Sequence, residues 1–195
     1  VRMSESSGLI TVLEVYAALE RKVQAAMQAV CAPYCRNCDT ICCRQDICFE
    51  TISSPWLVAV REHAALALSY DAGAGWLSAT GCCLPIGRPP VCYEFLCRRI
   101  ADADRSRDQQ HALKVIARLL TVAGQRICRG AHLVELMDLE AVPPSAWARL
   151  RDRIRHAESV IHAASAIASG QNATPAERAL LATVAPAPHS GKNHV

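Results

Sequence analysis

Cys35 and Cys38 are separated by two residues, a spacing short enough to bring both sulfurs to one metal ion at about 2.3 Å. Cys31-x3-Cys35 and Cys38-x3-Cys42 are looser versions of the same bite, and the three overlap within twelve residues. Cys42 and Cys43 are adjacent, as are Cys82 and Cys83. Neighbouring side chains diverge, so in each such pair one thiol ligates while the other packs, or each serves a different ion. Ten of the eleven cysteines fall in two stretches, six in residues 31–48 and four in residues 82–97, with Cys128 apart. A single four-coordinate ion would leave most of them unused, so the surplus points to a cluster or to two metals.

Zinc is satisfied by four sulfurs in a closed structural site. Iron–sulfur clusters also use four thiolates, with potentials tuned by burial and hydrogen bonding. The expectation is an iron–sulfur cluster or iron, with zinc as the alternative. Disulfides, reactive thiols and a metal-free cysteine loop are the competing readings. The odd cysteine count leaves at least one thiol unable to pair within the chain.

Cys35-x2-Cys38-x3-Cys42-Cys43-Arg44, followed by Gly81-Cys82 and then Arg88-Pro89-Pro90-Val91-Cys92-Tyr93-Glu94-Phe95-Leu96-Cys97, resembles the CxxCxxCC family. Members of that family are described as zinc- or iron-chelating cysteine-cluster proteins. Their pattern is a CxxCxxCC core, a cysteine shortly before an RPxxC segment, and another cysteine five residues on. The chain departs from it in one place: Asp39, Thr40 and Ile41 stand where the family has two residues. Cys31, Cys48, Cys83 and Cys128 lie outside the pattern. The resemblance covers residues 31–99, about a third of the chain. It implies a ligand pool of Cys35, Cys38, Cys42, Cys43, Cys82, Cys92 and Cys97. Arg88 would sit beside these thiolates, offsetting their negative charge and donating to sulfur or carbonyl groups. The plainer role for Arg88 is a loop arginine paired with Glu94 or Glu50. Pro89 would stiffen the loop that presents Cys92.

The elements that must carry these residues are helical. Alanine is abundant and aromatics make up 5%, which favours helices over sheets. Leu9, Leu13, Tyr16, Leu19, Val23, Met27 and Val30 recur at helical spacing, predicting an amphipathic helix over 9–30. Glu14, Glu20, Arg21, Lys22, Gln24 and Gln28 fall mostly off that stripe. Residues 31–53 read as a loop. Ser54-Pro55 opens a second helix toward Tyr70, with serine as N-cap and proline at the first position. Residues 71–75 end it, and Pro85, Gly87, Pro89 and Pro90 keep 76–100 irregular. Further helices are expected over 105–123 and 131–140. Another follows Pro143-Pro144-Ser145, with a seam of Trp147, Leu150, Ile154, Ala157, Ile161, Ala164 and Ala168 that Gly170 stops. Thr174-Pro175-Ala176-Glu177 is a capping box for a last short helix.

The expected fold is all-α: a helical scaffold, 1–30 plus 100–184, carrying an irregular cysteine-rich module over 31–99, with a disordered tail over 185–195. At 195 residues the core is large enough to stand without staples, so the cysteines are not needed merely to hold a tiny fold together. A net charge of +3 is too small to argue for nucleic acid or an anionic membrane, and no apolar run is long enough to span a bilayer. The N-terminal residues lack signal-peptide character, so the expected compartment is the cytoplasm, where thiols stay reduced. His63, His132, His156 and His162 read as polar surface or helix residues rather than ligands. Arg149, Arg151, Arg153 and Arg155 spread over two helix faces as solvated charge. No Walker A loop, Rossmann fingerprint, Gly-x-Ser-x-Gly or His-Glu-x2-His motif is present. The expected function is metal binding, serving electron transfer, metal handling or a redox or enzyme partner protein. An iron-dependent redox enzyme and a zinc-shaped interaction module are the alternatives.

Overall fold

The computed structural model describes residues 2–35, 44–66, 68–78 and 81–187, with the side chains of 2–7 left aside. Eight helices, one small hairpin and one 3-10 turn make up the described regular structure, and the fold is all-α. Three long helices form its centre. They are α1 (Arg2–Cys35), α6 (Arg107–Ala123) and α7 (Pro144–Ala168), and each packs on the other two. Between α1 and α6 in sequence come α2 (Gln45–Ser53), α3 (Pro55–His63), β1 (Leu77–Ser78), β2 (Gly81–Cys82), α4 (Val91–Glu94) and α5 (Arg98–Ala101). The last helix, α8 (Pro175–Ala182), packs across α6 and α7.

The apolar periodicities locate the core. Tyr16, Leu19 and Val23 of α1 are buried, as are Ile116, Leu119 and Leu120 of α6 and Leu150, Ile154 and Ala157 of α7. Three rings join these layers. Trp56 of α3 stacks on Trp147 of α7 at 5.8 Å between centroids and meets Tyr16 of α1 edge-on at 5.2 Å. Trp56, Ile86 and Tyr93 belong to this same core, so the cysteine-rich region is packed into the bundle rather than hung from it. A smaller second cluster holds Cys48, Trp76 and Leu84, with Tyr70, Leu77 and Cys82 against it.

Cap chemistry sets the helix starts. Ser54 accepts from the Leu57 amide, Ser106 forms a capping box with Gln109, and Thr174 forms one with Glu177. The seam of α7 is buried from Trp147 to Ala164, with Ala168 partly buried at its end, and Gly170, at φ +105, follows it.

Several expectations are corrected. The first helix is longer than 9–30 and runs through Pro33 to Cys35; a proline so near the end costs the helix one backbone bond without breaking it. Residues 45–53, expected as loop, are helical, because Cys48 and Thr51 bury one face of α2. The second helix stops at His63 rather than Tyr70, and Ala65 takes a left-handed φ of +50 just beyond it. Within 76–100 there are a two-stranded antiparallel hairpin and two single-turn helices. The helix expected over 131–140 shrinks to a 3-10 turn, Leu133–Glu135, capped by His132. Ala185, assigned to the disordered tail, is buried, and its carbonyl meets His111 Nε2 at 2.9 Å; residues 188–195 lie outside the described residues.

Candidate metal centre

The second cysteine stretch is held in place by a carboxylate from the first helix. Glu20 follows Tyr16 by one turn of α1 and is 0% exposed. Its Oε2 accepts the Gly87 amide at 2.8 Å, and its Oε1 accepts the Arg88 amide at 2.9 Å and the Tyr93 hydroxyl at 2.9 Å. A buried carboxylate is tolerated when donors of this kind surround it. Burial still raises the Glu20 pKa; the bonds from Gly87, Arg88 and Tyr93 and the Arg88 charge pull the other way.

Arg88 folds back over the turn that precedes it. Its Nε donates to the Leu84 carbonyl at 2.6 Å, and one Nη donates to the Cys82 carbonyl at 3.4 Å. The side-chain oxygen of Gln24, in its satisfied orientation, accepts from the same guanidinium at 2.8 Å. The guanidinium is thus taken by two carbonyls and Gln24 in place of the expected Glu94 or Glu50, while Glu20 receives the Arg88 main-chain amide. Glu94 is engaged elsewhere, by the Thr121 hydroxyl at 2.5 Å and by Arg118 at 3.7 Å, while Glu50 faces Glu135, which helps raise its pKa after burial.

The two stretches are bridged through Thr51. Its hydroxyl donates to the Cys48 carbonyl at 2.6 Å and accepts the Trp76 indole N–H at 2.6 Å. Arg61 of α3 donates to the Thr51 carbonyl at 2.7 Å and lies 5.4 Å over the Trp76 ring. The Trp76 carbonyl in turn accepts the Cys83 amide at 2.8 Å. Helices α2 and α3 and the hairpin are thus one hydrogen-bonded unit.

The candidate ligands distribute as follows. Cys35 is exposed at the end of α1, one turn beyond Cys31 on the same helix face. Cys38, Cys42 and Cys43 lie outside the described residues. Cys82 is half-buried on β2; Cys92 is exposed on α4, beside the inward-facing Tyr93; Cys97 caps α5 and packs on the main core. Of the residues outside the pool, Cys48 is buried with its thiol 3.7 Å from the Arg44 carbonyl, and Cys83 is exposed. Cys82, Cys48 and Cys83 come together around the hairpin. Burial pushes the Cys82 thiol pKa up, the Arg88 charge draws it down, and Cys48 and Cys83 add to the rise. Cys48, Cys82, Cys83, Cys97 and Cys128 are thiols. Among the described residues, no group of three or more His, Cys, Asp or Glu side chains is arranged to hold a metal ion. His63 is exposed, His156 bonds Thr183, and His132 bonds the Thr121 carbonyl.

Glu20 and Thr51 are the residues that sequence reasoning missed. In the sequence Glu20 reads as one of several polar residues mostly off the apolar stripe of α1, yet its four-residue spacing from Tyr16 puts both on the buried face. That spacing was the available signal. Thr51 stands in a stretch with no apparent period, and only the Trp76 partner, 25 residues away, reveals its role.

Among the described residues, no helix is long and apolar enough to cross a membrane. The chain matches no known family model, no curated protein and no solved structure.

Proposed function

We propose that the chain is a metal-binding cysteine-cluster protein, holding an iron–sulfur cluster or iron, with zinc as the alternative metal. The observation that carries this reading is the anchoring of the loop from Cys82 to Cys97 by a buried carboxylate and an inward-folded arginine. A loop that carries four cysteines is given one shape by groups that contribute nothing to the thiols' own packing. The ligand pool remains Cys35, Cys38, Cys42, Cys43, Cys82, Cys92 and Cys97. The cysteines of residues 38–43 complete what the described ones supply in part. A bound cluster would provide electron transfer; a mononuclear zinc would provide shape.

Partner proteins are favoured by a second observation. Both phenylalanines of the chain are exposed, Phe49 by 60% and Phe95 by 52%, and each lies close in sequence to a cysteine of the module. Val91 and Leu68 are exposed as well. A redox or enzyme partner, or a protein bound by a zinc-shaped surface, would cover such residues.

Anaerobic purification followed by iron, zinc and acid-labile sulfide analysis tests the reading. Visible absorption that bleaches on reduction selects iron–sulfur, and a colourless protein with stoichiometric zinc selects the structural site. Neither metal nor sulfide, with the clustered cysteines in disulfides, overturns it.

A further inference from the structure

The geometry points to Glu20 as a positioning residue for the metal-binding thiols: from α1, its carboxylate fixes the Gly87–Tyr93 segment and thereby the placement of Cys82 and Cys92. This rests on the metal-binding reading above.

All three donors to Glu20 come from one segment, and two are main-chain amides. Main-chain donors tie the carboxylate to the path of the loop rather than to any one side chain. The path is also confined from the other side. Gly87 adopts φ +75, and a Cβ there would lie 2.5 Å from Arg61 Cγ. The loop therefore threads between α1 and α3, with Glu20 on one wall and Arg61 on the other.

The anchored residues flank the thiols. Arg88, held by its amide, reaches back to the Cys82 carbonyl. Tyr93, held by its hydroxyl and buried, leaves its neighbour Cys92 facing outward. Ligand sulfurs must arrive within a few tenths of an ångström of their bonding distance. A loop already held in one conformation spares the ion the cost of ordering it. Gln at position 20 would present an amide N–H₂ to donors that need an acceptor, so at least one bond is lost.

The test uses the full chain, reduced under anaerobic conditions. It is titrated with Co(II) against a competing chelator and, in parallel, reconstituted with Fe(II) and sulfide. Glu20→Gln is expected to weaken metal binding by about 10–100-fold, the usual range for groups that orient ligands, with helical circular dichroism retained. Its Gly87 and Arg88 amides should exchange faster in the metal-free protein. Tyr93→Phe should weaken binding less. Ile154→Val, a core change in α7 remote in sequence from the loop, should lower the melting temperature and leave affinity unmoved. A parent protein that takes up metal while Glu20→Gln and Tyr93→Phe bind equally well overturns the positioning role alone. If Glu20→Gln does not fold, unchanged binding by Tyr93→Phe does the same. A parent protein that takes up neither Co(II) nor Fe(II) with sulfide sinks the metal-binding reading, and this role with it.

Discussion

The indole N–H of Trp76 donates to the Thr51 hydroxyl at 2.6 Å, and through this bond the hairpin that leads into the second cysteine stretch is fastened to the helix that ends the first. Thr51 is buried, and its own hydroxyl donates a hydrogen bond to the Cys48 carbonyl. Thr51 and Trp76 are both buried, so a group that loses this partner is left unsatisfied. Thr51→Val keeps the shape and removes the hydroxyl, leaving the Trp76 N–H unsatisfied. The expected cost is about 1–3 kcal/mol, read as a lower urea midpoint. Trp76→Phe, which removes the indole donor, should lose less when added to Thr51→Val than on its own. Strictly additive costs would show that the bond contributes nothing.

Glu20 makes stability depend on pH in an unusual direction for a carboxylate. Burial outweighs the bonds that favour its charge, so its folded pKa lies above the ordinary value of 4.5. Below that value both folded and unfolded chains are protonated. As pH rises through the window between 4.5 and the folded pKa, the unfolded chain gives up its proton first. The Glu20 contribution to stability therefore falls as pH rises. Subtracting the unfolding free energies of Glu20→Gln from those of the parent, from pH 4.5 to about 7, isolates it. A difference that rises with pH would mean that the three donors, not burial, decide the shift.

Gly87→Ala forces a side chain into a left-handed position, a strain of about 1–3 kcal/mol, and into the methylenes of Arg61. Arg61 has to move, loosening its bond to the Thr51 carbonyl and its stacking on Trp76. The expected readings are a lower melting temperature and a changed Trp76 environment in near-ultraviolet circular dichroism. Gly81→Ala is the comparison. It also has a positive φ, of +114, but no atom lies within 4 Å of a Cβ there, so it should leave the Arg61 signature intact.

What the sequence disclosed tracks how local the determining physics is. The α7 seam and the Thr174 cap are written within a few residues of where they act, and both stand as expected. The short α2 is not legible, because its reason for being helical is the burial of Cys48 and Thr51 against Trp76 and Gly75, more than twenty residues on. Glu20 fails for the same reason. A glutamate on a helix reads as solvated charge until the amides of Gly87 and Arg88, 67 and 68 residues away, are seen to meet it. The cysteine spacings flagged the chemistry but not the scaffold, since ligand spacing constrains sulfurs and says nothing of what holds the loop.

The caps offer a calibration against these long-range effects. Ser106→Ala and Thr174→Ala each remove a side-chain acceptor for an N3 amide. Each should cost about 0.5–2 kcal/mol by chemical denaturation. Gln109 and Glu177 lose their reciprocal partners at the same time. Metal content should be unchanged in both, because neither cap touches the cysteine-rich region. Loss of metal on removing a cap would show that the site responds to any weakening of the fold.

Cys38 and Cys128 separate ligand from bystander. Cys128 follows α6 and pairs with Ala131 in an isolated bridge, its carbonyl accepting the Ala131 amide at 2.9 Å, and its half-buried side chain packs on the main core. It behaves there as a small apolar residue. Cys128→Ser should therefore keep full metal content at a modest loss of stability. Cys38 sits in the tightest chelating spacing of the chain, separated from Cys35 by two residues. Cys38→Ser should lower metal per chain, measured by elemental analysis after anaerobic purification, without a comparable change in melting temperature of the metal-free protein. The comparison must be made on metal-free protein as well, because an ion bound only by the folded state adds its own binding free energy to stability. Equal metal loss in the two variants would remove Cys38 from the ligand pool and leave the spacing without its chemistry.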